Sequence, residues 1–225
     1  GLGQAAGLPD EPQIGARSAI VVEYPSGRIL YAKAARERLA PASTTKILTA
    51  ILAIEYGNMD DVVRVAGSDL VGESSMGLVE GEEQSLKSLL YGLMLPSGND
   101  AAMAIARTLG EKAPTREPEL GSPVSRFVAM MNSRVAQLGL EDSRFANPSG
   151  LDAAGHYSTA YDLASLTWYA FHMPEFNTIV SNVTYDAPGH SLLNTNELLT
   201  RYDGADGVKT GLTDAAGLCL VGSAT

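Results

Sequence analysis

The stretch PASTTKILTAILAIEY, Pro41 to Tyr56, decides how the rest of the chain is read. Ser43 stands where a helix N-cap would. Ile47, Leu48, Ile51, Leu52 and Ala53 then recur at helical spacing, so a helix opening on Ser43 and stopped by Gly57-Asn58 is predicted. One turn in, Lys46 points toward the side the apolar residues occupy. Residues three apart share a helix face, so the amine can reach the hydroxyl, and the positive N-terminal end of the helix favours an alkoxide at Ser43. The spacing alone is weak: Ser-x-x-Lys is expected about once by chance in a chain of this length, and a serine cap with a solvated lysine is its plainest reading. To act as a base, a lysine must shed its proton, which from an ordinary pKa of about 10.4 costs about 4.6 kcal/mol at pH 7. Burial and a neighbouring cation lower that cost, so a second lysine nearby would be meaningful.

Upstream, Ser18 to Glu23 and Arg28 to Lys33 flank Pro25-Ser26-Gly27 and read as a β-hairpin. Downstream, Leu86, Leu89, Leu90, Leu93 and Met94 form a helical stripe that stops at Pro96, and the next helix starts at Asp100. Only Ser97-Gly98-Asn99 lies between them. A further helix is predicted from about Pro123 to Leu138, with Phe127, Met131, Val135 and Leu138 inward, and another from Ser158 carrying Leu163, Leu166, Tyr169 and Ala170. After Met173 the pattern returns to β-prone pieces: Thr178 to Tyr185, Gly207 to Thr210, and Leu218 to Ser223. The expected class is α/β of the α+β type: an antiparallel sheet built from both ends of the chain, flanked by helices, with an inserted all-helical lobe at about 66–172. Residues 1–16 read as a flexible leader and 17–225 as a single domain; Ala113 to Gly121 reads as a surface loop.

Bulk composition narrows the function classes. The 225 residues, 45% hydrophobic, are enough to bury one sizeable core. No apolar run approaches the roughly 20 residues a spanning helix needs. A net charge of −10 leaves too few clustered cations for nucleic acid. The lone Cys219 sits in an apolar run and is read as core packing, with no internal disulfide possible. The leader lacks the basic and then apolar plan of a signal peptide. His156, His172 and His190 are scattered, with no metal-ligand spacing, so neither a metal nor a cofactor is expected, and His156 is read as structural.

Two more short motifs add to the first. Ser97-Gly98-Asn99 is ordinary turn composition, yet Pro96 and the two flanking helices would hold both polar side chains at a fixed corner. Lys209-Thr210-Gly211 is rarer, expected about once in twenty such chains by chance. Its plainest reading is an edge strand blunted by a lysine. The chemical reading is an edge offering backbone groups to an extended peptide, with Lys209 supplying charge and Gly211 permitting close approach. Each motif falls at an element edge and each plain reading is independent of the others.

With those three in order, the sequence resembles the serine D-alanyl-D-alanine carboxypeptidases, the low-molecular-mass penicillin-binding proteins. The resemblance runs from about Ala19 to Ala224 through AIVVEYPSGRILYAKAARERLAPASTTK, LLYGLMLPSGNDAA, FANPSGLDAAGHYSTAYDLASL and DGVKTGLTDAAGLCLVGSA. It implies a β-lactamase/transpeptidase-like fold and a serine peptidase that removes the terminal D-alanine from peptidoglycan stem pentapeptides. In that family's mechanism Ser43 is the nucleophile, Lys46 the general base, and Lys209 the cation that keeps Lys46 neutral. Ser97 passes a proton to the departing D-alanine, and Asn99 holds the peptide amide. Thr210 with Lys209 receives the terminal carboxylate across Gly211, and the backbone N–H groups of Ser43 and Leu212 form the oxyanion hole. The resemblance further implies β-lactams as acylating inhibitors, no nucleic-acid partner, and an extracytoplasmic location reached through a signal peptide not present here, with membrane association only through segments absent from this chain. Three alternatives share the same groups or scaffold: an endopeptidase acting on crosslinks, a β-lactamase, and a non-catalytic wall-binding module. Arg116-Glu117-Pro118-Glu119-Leu120 resembles the deacylating loop of class A β-lactamases, but Gly121 follows where that family has asparagine. Ser149 stands where many relatives have histidine, which touches only a supporting contact. The family's last strand and C-terminal helix are expected beyond Thr225.

Overall fold

The computed structural model describes residues 12–24, 26–113 and 121–225. Most of the leader, Pro25 of the first turn, and the Arg116 to Leu120 segment lie outside these. The chain opens with strands β1 (Ala19–Glu23) and β2 (Arg28–Lys33), paired antiparallel as the hairpin pattern predicts. Helix α1 (Lys46–Tyr56) follows. It does not open on Ser43: residues Ala42–Thr45 form a 3-10 turn ahead of it, with no side-chain cap. Every residue from Lys46 to Ala53 is buried, so α1 is wrapped on all sides rather than striped on one. Its one polar side chain in the middle, Thr49, donates to the Pro148 carbonyl at 2.7 Å, which removes the penalty for burying a hydroxyl.

A short ribbon of β3 (Val62–Arg64) and β4 (Glu83–Ser85) leads into α2 (Leu86–Met94), where the Ser85 hydroxyl accepts from Ser88 N–H at 3.0 Å. Helix α3 (Asn99–Lys112) starts across the predicted corner. Helix α4 (Pro123–Gln137) is capped by Ser122 with proline in its first turn, and α5 (Ala160–Ala170) is capped by Thr159. These helices fall in the predicted lobe and pack around α1, with Ile51, Leu90, Ile105, Phe127, Met131 and Leu166 fully buried between them.

Thr178 to Tyr185 is not one strand. Its first half belongs to α6 (Pro174–Ser181), and only Thr184–Ala187 is strand, β5, paired with β6 (His190–Leu193). Pro174 presets the first turn, and Phe176, Ile179 and Val180 are buried at helical spacing, so burial on one helix face outweighs the β-branched composition. A single turn, α7 (Leu198–Arg201), precedes β7 (Ala205–Thr213) and β8 (Gly217–Ala224), which pair antiparallel with Lys209 opposite Val221 and Gly211 opposite Cys219.

Among the described residues the strands pair as four two-stranded ribbons. The two ribbons from the ends of the chain are therefore not joined in one ladder. A cleft of about 1220 Å³ separates them, lined by Val21 of β1, Trp168 of α5 and Leu220 of β8. Cys219 borders this cleft half-buried, and burial pushes its thiol pKa up.

Candidate active site

Four distant segments converge on the 3-10 turn that carries Ser43. In a 3-10 turn, side chains three apart eclipse. Ser43 and Lys46 are therefore brought into line, and Lys46 Nζ lies within hydrogen-bond distance of Ser43 Oγ, at 3.0 Å. The backbone of the turn is clamped from two sides by glycines. A Cβ on Gly150, whose φ is +94°, would fall 1.9 Å from the Ala42 carbonyl oxygen, and a Cβ on Gly211 would fall 2.9 Å from Ser43 N. Strand β7 can thus run directly past Ser43 only because Gly211 has no side chain.

Lys46 is fully buried, and its Nζ has two further acceptors, Asn99 Oδ1 at 2.8 Å and the Ser149 carbonyl at 2.6 Å. Burial and then the Lys209 charge hold its pKa well below the usual lysine value, against weaker opposing pulls from Asp100 and Glu73. A neutral amine has two hydrogens and one lone pair. Asn99 Oδ1 and Ser149 O can only accept, so they take the two hydrogens. The lone pair is then left for the one partner that has a proton to give, the Ser43 hydroxyl. This arrangement can remove a proton from Ser43 and has nowhere else to take one from.

Lys209 is almost fully buried, donates to the Thr210 carbonyl at 3.0 Å, and is pushed down by burial to about 7. Two lysines more than 160 positions apart in sequence thus lie within electrostatic reach of each other. Thr210 is bonded through its hydroxyl to Thr195 Oγ1 at 2.6 Å. Leu212, the next residue after Gly211, has an exposed side chain, so its position on β7 constrains only its backbone.

The corner Ser97-Gly98-Asn99 is rigid for identifiable reasons. Asn99 N–H donates to Ser74 O at 2.8 Å, Asn99 Nδ2 to Gly72 O at 3.3 Å, and Gly98 N–H to Gly92 O at 2.8 Å. A Cβ on Gly98 would fall 2.7 Å from Asp100 Oδ1 and 2.9 Å from Gly92 O, so the middle position has no room for another residue. Ser97 has φ +65°, and its buried hydroxyl has no hydrogen-bond partner among the described residues. Ser97 thus combines a left-handed backbone with a buried hydroxyl left unpaired among the described residues.

All eight residues singled out in the sequence lie on the turn, at the first residue of α1, on the corner or on β7. Sequence reasoning missed the Ser149 carbonyl, the Gly150 clamp and Thr195. The carbonyl has no residue signature, which is also why serine in place of histidine at 149 leaves this contact intact. His156 is structural as expected: Ala146 N–H donates to its Nδ1 at 3.1 Å, so the ring proton sits on Nε2 and donates to Thr45 Oγ1 at 2.9 Å. Burial pushes its pKa down to about 4, keeping it neutral beneath the 3-10 turn. Among the described residues, no group of three or more His, Cys, Asp and Glu side chains is placed to hold a metal ion.

Known structures share this architecture. The crystal structure of the Streptomyces K15 DD-transpeptidase superposes with a TM-score of 0.86 at 34% identity, covering 96% of this chain and 87% of that one. The D-alanyl-D-alanine carboxypeptidase DacD from Francisella tularensis superposes at 0.84 with 26% identity over 97% of this chain and 64% of that one. In sequence, the D-alanyl-D-alanine carboxypeptidase DacF of Bacillus subtilis is 39% identical over 223 residues, 93% of this chain and 54% of that protein. The Streptomyces K15 D-alanyl-D-alanine carboxypeptidase is 36% identical over 96% of this chain and 78% of its own length. The chain thus spans about half the length of DacF. The peptidase S11 family model, described as D-alanyl-D-alanine carboxypeptidase, matches residues 5–225, and the chain belongs to that family.

Proposed function

We propose that this chain is a serine DD-peptidase that hydrolyses the terminal D-alanyl-D-alanine bond of peptidoglycan stem pentapeptides through a Ser43 acyl-enzyme. Residues 17–225 act as one catalytic domain, with the helical lobe at about 66–172 supplying the Ser97 corner. Lys46 takes the Ser43 proton as the hydroxyl attacks the carbonyl. Ser97 passes that proton on from Lys46 to the departing D-alanine, Asn99 holds the stem amide, and Lys209 with Thr210 receives the terminal carboxylate over Gly211. The N–H groups of Ser43 and Leu212 stabilise the oxyanion, an effect worth about 3–4 kcal/mol per donor in other enzymes. Water then releases the shortened peptide. β-Lactams acylate the same serine, and the substrate places the activity on the outer side of the cytoplasmic membrane.

The observation that carries this reading is the buried Lys46 amine bonded to Ser43 Oγ while two acceptor-only groups hold its hydrogens. The test is acylation by labelled penicillin, with Ser43→Ala as control, followed by mass spectrometry after incubation with a pentapeptide ending in D-Ala-D-Ala. Label lost in the variant and loss of one alanine from the peptide support the proposal. Cleavage of crosslinked dimers alone would make it an endopeptidase, rapid turnover of the penicillin a β-lactamase, and neither acylation nor cleavage a binding module.

A further inference from the structure

The segment Asn194-Thr195-Asn196 is a strap between the corner and β7. Thr195 N–H donates to the Leu95 carbonyl at 3.0 Å, just before Pro96, while Asn196 Nδ2 donates to Gly207 O at 2.8 Å. Between these anchors the Thr195 hydroxyl reaches both ways, 3.3 Å to Leu95 O and 2.6 Å to Thr210 Oγ1. It has one proton for the two contacts. When Thr195 donates to Leu95 O, Thr210 must donate to Thr195, and the Thr210 proton is turned away from any ligand.

A bound carboxylate accepts only, so Thr210 must donate to it. Two oxygens at 2.6 Å need a proton between them, and Thr195 must then reverse and donate to Thr210. The bond given up is the longer one, and Leu95 O keeps the Thr195 N–H. The geometry points to Thr195 as a positioning residue that relays a hydrogen bond through Thr210 to the substrate's terminal carboxylate. This inference rests on the role proposed above for Thr210. Chained hydrogen bonds polarise one another, so Thr210 with Thr195 behind it is a better donor to an anion than Thr210 alone.

The test is a double-mutant cycle, reading kcat and KM on the pentapeptide, the rate of penicillin acylation, and thermal unfolding to verify folding. Thr195→Val is expected to lower kcat/KM about fivefold, mostly through KM, the loss of one ordinary hydrogen bond. Thr195→Ser should restore it to within about twofold. In a Thr210→Val background, Thr195→Val should cost nothing further, because the relay is already cut. Additive losses, an unchanged KM, or tighter binding in the valine variant would overturn the relay while leaving the peptidase reading in place. A wild-type chain that neither cleaves the peptide nor is acylated would overturn both.

Discussion

The two buried lysines make a demand on stability that can be measured. Lys209 has an ordinary value of 10.5 and a folded value of about 7. Between those limits the unfolded chain binds a proton at this site that the folded chain does not, so stability must rise with pH across that window. The whole gap, at about 1.4 kcal/mol per pH unit, is on the order of 4–5 kcal/mol. Over the accessible part, from pH 7 to pH 9, integration leaves about 2 kcal/mol, because the folded site is still half protonated at the start. Guanidinium denaturation of the wild type and of Lys209→Met at both pH values reports this lysine together with the part of the Lys46 shift that its charge causes, since the tyrosines titrate in both proteins. The wild type should gain about 2 kcal/mol relative to the variant on going from pH 7 to pH 9. Below about pH 6, where the folded site is also protonated, the two should run parallel. Parallel behaviour through the whole range would mean that Lys209 keeps its proton as easily in the fold as in water, and the argument that it is held near neutrality would be wrong.

Two other perturbations follow from strain and close packing. Ser97→Gly removes both a left-handed non-glycine residue and an unsatisfied buried hydroxyl, so it should stabilise the fold by about 1 kcal/mol while slowing penicillin acylation roughly 10²-fold; denaturation showing no gain would remove the strain assignment. Gly150→Ala drives a methyl group into the Ala42 carbonyl and should cost at least 1–3 kcal/mol with a loss of acylation, read by thermal unfolding and labelling; an unchanged melting temperature would mean the clamp is slack.

The parts of this molecule that were legible in the sequence are those that local chemistry specifies. Helix α2 begins after a serine cap, repeats leucine at helical spacing and stops at Pro96, and each signal is contained within a dozen residues. The three motifs were legible for a similar reason, since side-chain type states what each can do. Local reasoning failed where burial decided. Thr178-Ile179-Val180 is β-prone by composition, but burial of Ile179 and Val180 on one face makes it helix. The turn at Ser43 gives no hint of being 3-10 in the sequence, and the glycines whose backbones crowd it, Gly150 and Gly211, lie 107 and 168 positions away. Backbone acceptors such as Ser149 O are invisible in principle: any residue supplies one, and only the fold decides where it points.

These illegible contacts determine how the lysine works. An inward lysine next to a serine is compatible with either proton state, and the sequence motif is the same for both. Once burial and the Lys209 charge make the amine neutral, the pair of acceptor-only neighbours, one side-chain amide from the corner and one carbonyl from the Asn147 to Gly150 loop, leaves its lone pair facing Ser43. Had either been a donor, the amine lone pair would have been engaged and the serine proton would have had no destination. The Asn147 carboxamide holds that loop by accepting from both Ser149 N–H and Gly150 N–H, so the carbonyl is aimed by a residue with no hydrogen bond to Ser43 or Lys46. The basicity of Lys46 is thus set by burial and the Lys209 charge, and its direction by backbone geometry.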